Sequence, residues 1–353
     1  MIFPFVKLST RLQKLHIGLM HLITEVWCKA GSWDEKNLEP GFLALVRKID
    51  ARKHHDKRLL VRFARLHDLF SNLSPADRVR IASDARQMDD LLLLCKDKGL
   101  EPLRFASLRA MSAPLAGELK DLFYELFDET LRSGSAEKEL GTLRAHYDAL
   151  VSAQASKLCP FCGLIPILTK DSKPRDAFDH FLPRSIYPLQ AVNFDQLVPM
   201  CKRCNEQFKR DADPLYDGDE TRRRAFYPFD CAPCAFSISI TLPTKYLREV
   251  QAEEIGLSIN GDEFFEEVGT WKEVFDLENR YREFSAIPDG CRESVVEILN
   301  YTDSLGLPYK HVFTAAIENG LKRPARDQNF LRVPYLEACD RIGVFDEPEN
   351  REL

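Results

Sequence analysis

Apolar side chains stand at Leu8, Leu12, Leu15, Leu19 and Leu22 with mostly polar residues between them, and steps of three or four put them on one face of a helix. The same period continues from about Phe42 to Phe70. A third helix opens at Ser74-Pro75, where the serine hydroxyl can cap and proline suits the first turn, and runs to Leu94. A fourth covers Leu115–Leu131, with Ser133-Gly134-Ser135 as its breaker, and Ala136–Ala155 is the last of the series. Beyond residue 157 the pattern shortens. Gly163–Leu168 and Ala177–Leu182 suit short strands, Ser185–Asn193 is a loop, and a short helix starts near Lys202. From residue 211 strand and helix patterns mix. Phe236–Ile240 alternates, while Trp271, Val274, Phe275, Leu277 and Tyr281 mark an amphipathic helix, with more helix at Arg292–Tyr301 and His311–Leu321. The expected fold class is mainly α with a small α+β core. It comprises a helical region, 1–156, a compact module, 157–210, and an α+β lobe, 211–353, packed against the module.

The 353 residues, 44% of them hydrophobic, allow two or three domains with proper cores. A net charge of −6 rules out a polycation, so any nucleic-acid contact is a local basic surface on an acidic body. One candidate is the run Arg47, Lys48, Arg52, Lys53, Lys57, Arg58, Arg62 and Arg65, in which Asp50 and Asp56 are the only carboxylates. It reads either as a solvated helix face or as a surface for phosphates or an acidic partner. The N-terminus is a poor secretion leader, because Lys7, Arg11 and Lys14 interrupt its apolar run, and no apolar run is long enough for a bilayer. The expectation is a cytoplasmic protein with no membrane contact, whose ten cysteines stay reduced or hold metal.

Four of those cysteines form two Cys-x-x-Cys pairs, Cys159/Cys162 and Cys201/Cys204, about forty residues apart. A two-residue spacer lets both sulfurs of a pair face one ion, and two pairs complete a tetrahedral four-thiolate site of the structural zinc type. Such a site is closed to water, so reaction chemistry must come from groups that it positions. A third pair, Cys231 and Cys234, has no second pair and reads as ordinary cysteines, a redox pair or a swapped zinc ligand.

Between the pairs lies Asp179-His180-Phe181-Leu182-Pro183, and the second pair sits in Leu197-Val198-Pro199-Met200-Cys201-Lys202-Arg203-Cys204-Asn205 followed by Lys209. In this order Cys-Pro-x-Cys-Gly, Asp-His-x-x-Pro and Leu-Val-Pro-x-Cys-x-x-Cys-Asn-x-x-x-Lys resemble the zinc-stapled HNH endonucleases, over about a sixth of the chain. The resemblance implies a ββα-metal fold that hydrolyses DNA phosphodiesters. His180 would be the general base, Asp179 and Asn205 the ligands of a catalytic Mg²⁺ or Mn²⁺, and Gln196 the loop residue that orients the base. The family typically has Asn at that last position. Gln196 carries the same amide on a longer stem, and Asn193 lies three residues earlier. Arg184, Arg203, Lys209 and Arg210 are the candidate phosphate contacts. Large helical flanks around a small nuclease core also resemble prokaryotic anti-phage nucleases controlled by a partner ATPase or sensor. The competing readings are a zinc-stabilised nucleic-acid-binding module with a decayed centre and an RNA-cutting toxin.

Overall fold

The computed structural model describes residues 3–29, 31–51, 53–154, 156–168, 177–230 and 236–352. The first periodic stretch is α1 (Gln13–His21), which runs directly into a wider π-type turn, Leu22–Trp27, and Leu8 stays outside it. The stretch from Phe42 to Phe70 is two helices, α2 (Pro40–Asp50) and α3 (Leu59–Ser71). Asp50 explains the division. Its carboxylate accepts from the backbone N–H of Leu59 at 2.8 Å and of Leu60 at 3.1 Å, so the end of one helix caps the start of the next. Ser74 caps α4 (Pro75–Gln87) as its position predicts, but Asp90 begins a separate α5 (Leu91–Lys96) by accepting from Leu93 N–H. After α6 (Phe105–Met111) and α7 (Ala113–Asp128), a short 3₁₀ turn, Thr130–Arg132, leads to Ser133, which caps α8 (Gly134–Leu140). Thr142 then caps α9 (Leu143–Ala153).

In the module, β1 (Phe178–His180) pairs antiparallel with β2 (Leu197–Pro199), setting Asp179 opposite Val198 and His180 opposite Leu197. The knuckle strand expected at Gly163–Leu168 is a single bridge, Leu158 to Pro166, next to a turn in which Gly163 takes φ +67°, a value that glycine adopts without strain. A π-type helical turn, Arg203–Lys209, follows β2. The C-terminal part holds the hairpin β3 (Ser237–Thr241) and β4 (Gly256–Asn260), then α10 (Phe265–Phe275) and α11 (Leu277–Ala286). It ends with α12 (Glu293–Leu305), α13 (Tyr309–Lys322) and α14 (Asn329–Arg341). The architecture is mostly helical with small two-stranded sheets, in line with the coarse fold class expected.

A three-residue strand pair is too small to hold itself together in water. Here it is embedded, because one connected apolar core runs from Phe5 and Trp27 through Phe123, Phe161 and Leu197 to Tyr281 and Leu331. Each such side chain contributes roughly 1.5–3 kcal/mol on burial. The basic run is largely neutralised by carboxylates distant in sequence. Arg47 pairs with Glu35, Lys48 with Glu139, Lys53 and Arg62 with Glu125, and Arg65 with Glu118. Arg52, Cys231 and Cys234 lie outside the described residues. Among the described residues no helix is long and apolar enough to cross a membrane.

Candidate active site and metal centre

The sulfurs of Cys159, Cys162, Cys201 and Cys204 are buried and all lie within 4.8 Å of one another, with Cys162 and Cys201 4.0 Å apart. An ion bound tetrahedrally at about 2.3 Å from each sulfur sets sulfur–sulfur edges of roughly 3.8 Å, so this donor set fits one metal ion. The backbone explains the convergence. Gly163 N–H closes the first knuckle on Cys159 C=O at 2.7 Å, Cys201 lies two residues past the end of β2, and Cys204 lies on the first turn of Arg203–Lys209. The C-terminal helices clamp this centre. Trp271 on α10 donates its indole N–H to Phe161 C=O at 2.6 Å, and Tyr281 on α11 donates its hydroxyl to Cys162 C=O at 3.0 Å.

His180 and Asp179 are adjacent on β1, so their side chains leave on opposite faces. His180 is half-buried, and its imidazole meets the edge of Phe127, from α7, with ring centroids 4.6 Å apart. Its Nε2 lies 2.9 Å from Ala191 C=O. A carbonyl only accepts, so Nε2 carries the hydrogen, and in the neutral ring the lone pair is on Nδ1. Nδ1 makes no hydrogen bond to any described residue and is not among the buried polar atoms that lack a partner. Desolvation lowers the His180 pKa to about 4, with smaller contributions from the Arg184 and Lys209 charges, so the ring is neutral near pH 7.

Asp179 meets a cation, but that cation is Lys209. The ammonium lies 3.2 Å from Oδ1 and 3.1 Å from Oδ2, and it also donates to His180 C=O at 3.0 Å. Oδ2 is close enough for charge attraction yet has no hydrogen-bond donor directed at it among the described residues. Burial pushes the Asp179 pKa up while Lys209 pulls it back. Lys209, one of the expected phosphate contacts, is a buried partner of Asp179, with its side chain 1% exposed. A buried ammonium needs a counter-charge, and Asp179 is the one it meets.

Gln196 is fully buried and, at the end of the loop between the strands, holds both the start and the middle of that loop. Its Oε1 accepts from Leu182 N–H at 2.8 Å, and its Nε2 donates to Gln190 C=O at 2.6 Å. The loop so fixed presents Ala191 C=O to His180. The longer stem of Gln196 reaches both backbone groups. Asn193 has another task, donating to Gln190 Oε1 at 2.6 Å and accepting from Gln13 Nε2 at 2.8 Å, which ties the loop to α1. Asn205 lies four residues before Lys209 in the π-type turn and is part-exposed, and its side-chain amide makes no hydrogen bond to any described residue.

The remaining basic candidates differ among themselves. Arg184 pairs with Asp128 at 2.9 Å and covers the Tyr124 ring at 4.5 Å. Arg203 faces Glu283 at 3.3 Å. Arg210 is exposed, makes no ion pair among the described residues, and donates to Glu206 C=O at 3.2 Å. Sequence reasoning missed Ala191, because a carbonyl acceptor leaves no mark in residue identity, and Phe127, whose helical period marks it only as core. Trp271 and Tyr281 were legible as an amphipathic face but not as donors to the knuckle. Comparison with protein families, curated proteins and solved structures finds none that this chain matches.

Proposed function

We propose that this chain is a metal-dependent nuclease of the HNH type, hydrolysing phosphodiester bonds of DNA with His180 as general base and a structural zinc on Cys159, Cys162, Cys201 and Cys204. The observation that carries the reading is the state of His180. It is neutral, its Nε2–H is fixed on Ala191 C=O, and its Nδ1 lone pair is unclaimed. Such a ring can take a proton from an attacking water, the role that phosphodiester hydrolysis requires of a base. Phe127 and the Gln196-stapled loop hold it in one orientation.

Asp179 Oδ2 and the Asn205 side-chain amide, neither of which makes a hydrogen bond to a described residue, offer hard oxygen donors to Mg²⁺ or Mn²⁺. When bound, such an ion would supply positive charge to the scissile phosphate and the leaving oxygen. Lys209 already stands at Asp179, so the ion must share the carboxylate with the ammonium or displace it, and weak binding is expected. Arg210, exposed and without an ion pair, is the first candidate for a phosphate contact. Arg184 and Arg203 would have to exchange their carboxylate partners for phosphate.

The Lys209–Asp179 pair also favours a second reading, a zinc-stabilised nucleic-acid-binding module in which Lys209 has replaced the catalytic metal. Purified protein with Mg²⁺ or Mn²⁺, incubated with supercoiled DNA, linear DNA and RNA and scored beside a band shift, separates the two. Metal-dependent cleavage of DNA supports the nuclease. Band shift without cleavage supports the module, and cleavage confined to RNA moves the substrate from DNA to RNA.

A further inference from the structure

Arg280, on α11, is 2% exposed and makes no ion pair with a carboxylate among the described residues. Its Nη1 donates to Cys204 Sγ at 3.3 Å and to Phe275 C=O at 3.1 Å, and its guanidinium lies 4.3 Å from the Phe208 ring centroid. Nε and Nη2 are buried without a hydrogen-bond partner among the described residues. A guanidinium does not give up its charge in a protein, and burying it without a counter-ion is costly. Among the described residues, the sulfur cluster is the one group in contact with it that can carry negative charge as thiolate. Four neutral thiols would leave the charge uncompensated, whereas Zn²⁺ with four thiolates carries an excess of two negative charges. Each side of the contact therefore accounts for the other.

Resting on the zinc assignment above, we propose that Arg280 is a positioning residue of the metal centre, whose guanidinium compensates half of the excess negative charge on a four-thiolate zinc site and slows loss of the ion. A hydrogen bond from a cation withdraws electron density from Cys204 Sγ, which makes that sulfur slower to take a proton and leave the metal. It also gives the C-terminal lobe a direct hold on the second knuckle, beside the hold of Trp271 and Tyr281 on the first.

The test compares full-length wild type with Arg280→Met, Arg280→Gln and Arg280→Lys. Zinc content is measured by elemental analysis, and zinc transfer to a coloured chelator is followed in time. Wild type should hold one zinc per chain. Arg280→Gln and Arg280→Met should lose it about 10–100-fold more readily, the scale of outer partners at metal sites, with Arg280→Lys closer to wild type. In Co²⁺-loaded protein the sulfur-to-metal charge-transfer band should move to longer wavelength when the cation is removed and stay near its wild-type position in Arg280→Lys. If Arg280→Met fails to fold, the Gln and Lys pair decides alone. Equal zinc retention and an unmoved band in the neutral variants, with wild type holding zinc, overturn the role of Arg280 and leave the zinc assignment standing. Wild type that purifies without zinc and does not take it up overturns both.

Discussion

Lys209 and Asp179 form an ion pair in which both side chains are buried, 1% and 5% exposed, with the ammonium 3.1 Å from Oδ2. The pair joins the end of the π-type turn to β1 immediately before His180. Removing one member strands the other charge in a poor solvent. Lys209→Met should lower unfolding free energy in urea by about 3–5 kcal/mol, and the double variant Asp179→Asn/Lys209→Met should recover a good part of that loss. Additive losses would show that the two charges do not depend on each other.

Acid should weaken the fold through two histidines. Burial lowers the pKa of His146, packed between Phe178 and Phe194, and of His180 to about 4. The unfolded chain binds these protons near pH 6.5, so the stabilisation is complete above that value and is lost as pH falls toward 4. Between pH 7 and 5.5 each histidine should account for about 1 kcal/mol of lost stability. His146→Gln should remove one such share from the difference measured in urea at the two pH values. An unchanged difference would mean that His146 protonates as freely in the fold as outside it.

Gln196 should matter to the loop more than its identity suggests. In Gln196→Ala the Leu182 N–H and Gln190 C=O lose their partners in a buried setting, at about 1–3 kcal/mol for each. The loosened loop should also admit water to His180 and raise its pKa toward 6.5, as followed by histidine ring NMR. A variant as stable as wild type, with His180 titrating as before, would contradict the staple.

Phe127 desolvates the imidazole from the side of the helical region. Phe127→Ala should raise the His180 pKa above 4, whereas Phe127→Leu, which keeps an apolar wall, should move it less. A rise of the same size in both variants would remove Phe127 from the account.

The sequence made the metal centre legible because two Cys-x-x-Cys pairs constrain sulfur positions almost regardless of what surrounds them. The helices were legible as apolar periods, but their ends were not. Asp50 and Asp90 cap helices inside stretches whose period runs on, and periodicity does not register a cap. Gln196 was visible as a departure from a familiar pattern, and only coordinates show that its longer stem spans both backbone groups. The burial of Lys209 was not legible, because a lysine near a helix end is normally solvated. What buries it is Asp179, thirty residues earlier, brought next to it by the strand pairing and the cysteine cluster. Arg280 lies outside the module and carries no motif, so its contact with Cys204 could not be read from spacing.

The central claim is that His180, with its Nε2–H on Ala191 C=O and its Nδ1 unclaimed, acts as the base in phosphodiester cleavage. The most direct measurement is the initial rate of plasmid nicking with Mg²⁺ or Mn²⁺ by wild type and by His180→Ala, with equal zinc content and thermal melting as controls. Wild type should cleave, and His180→Ala should be slower by on the order of 10²-fold or more. Equal rates in the two proteins, or no cleavage by zinc-loaded wild type, would contradict it.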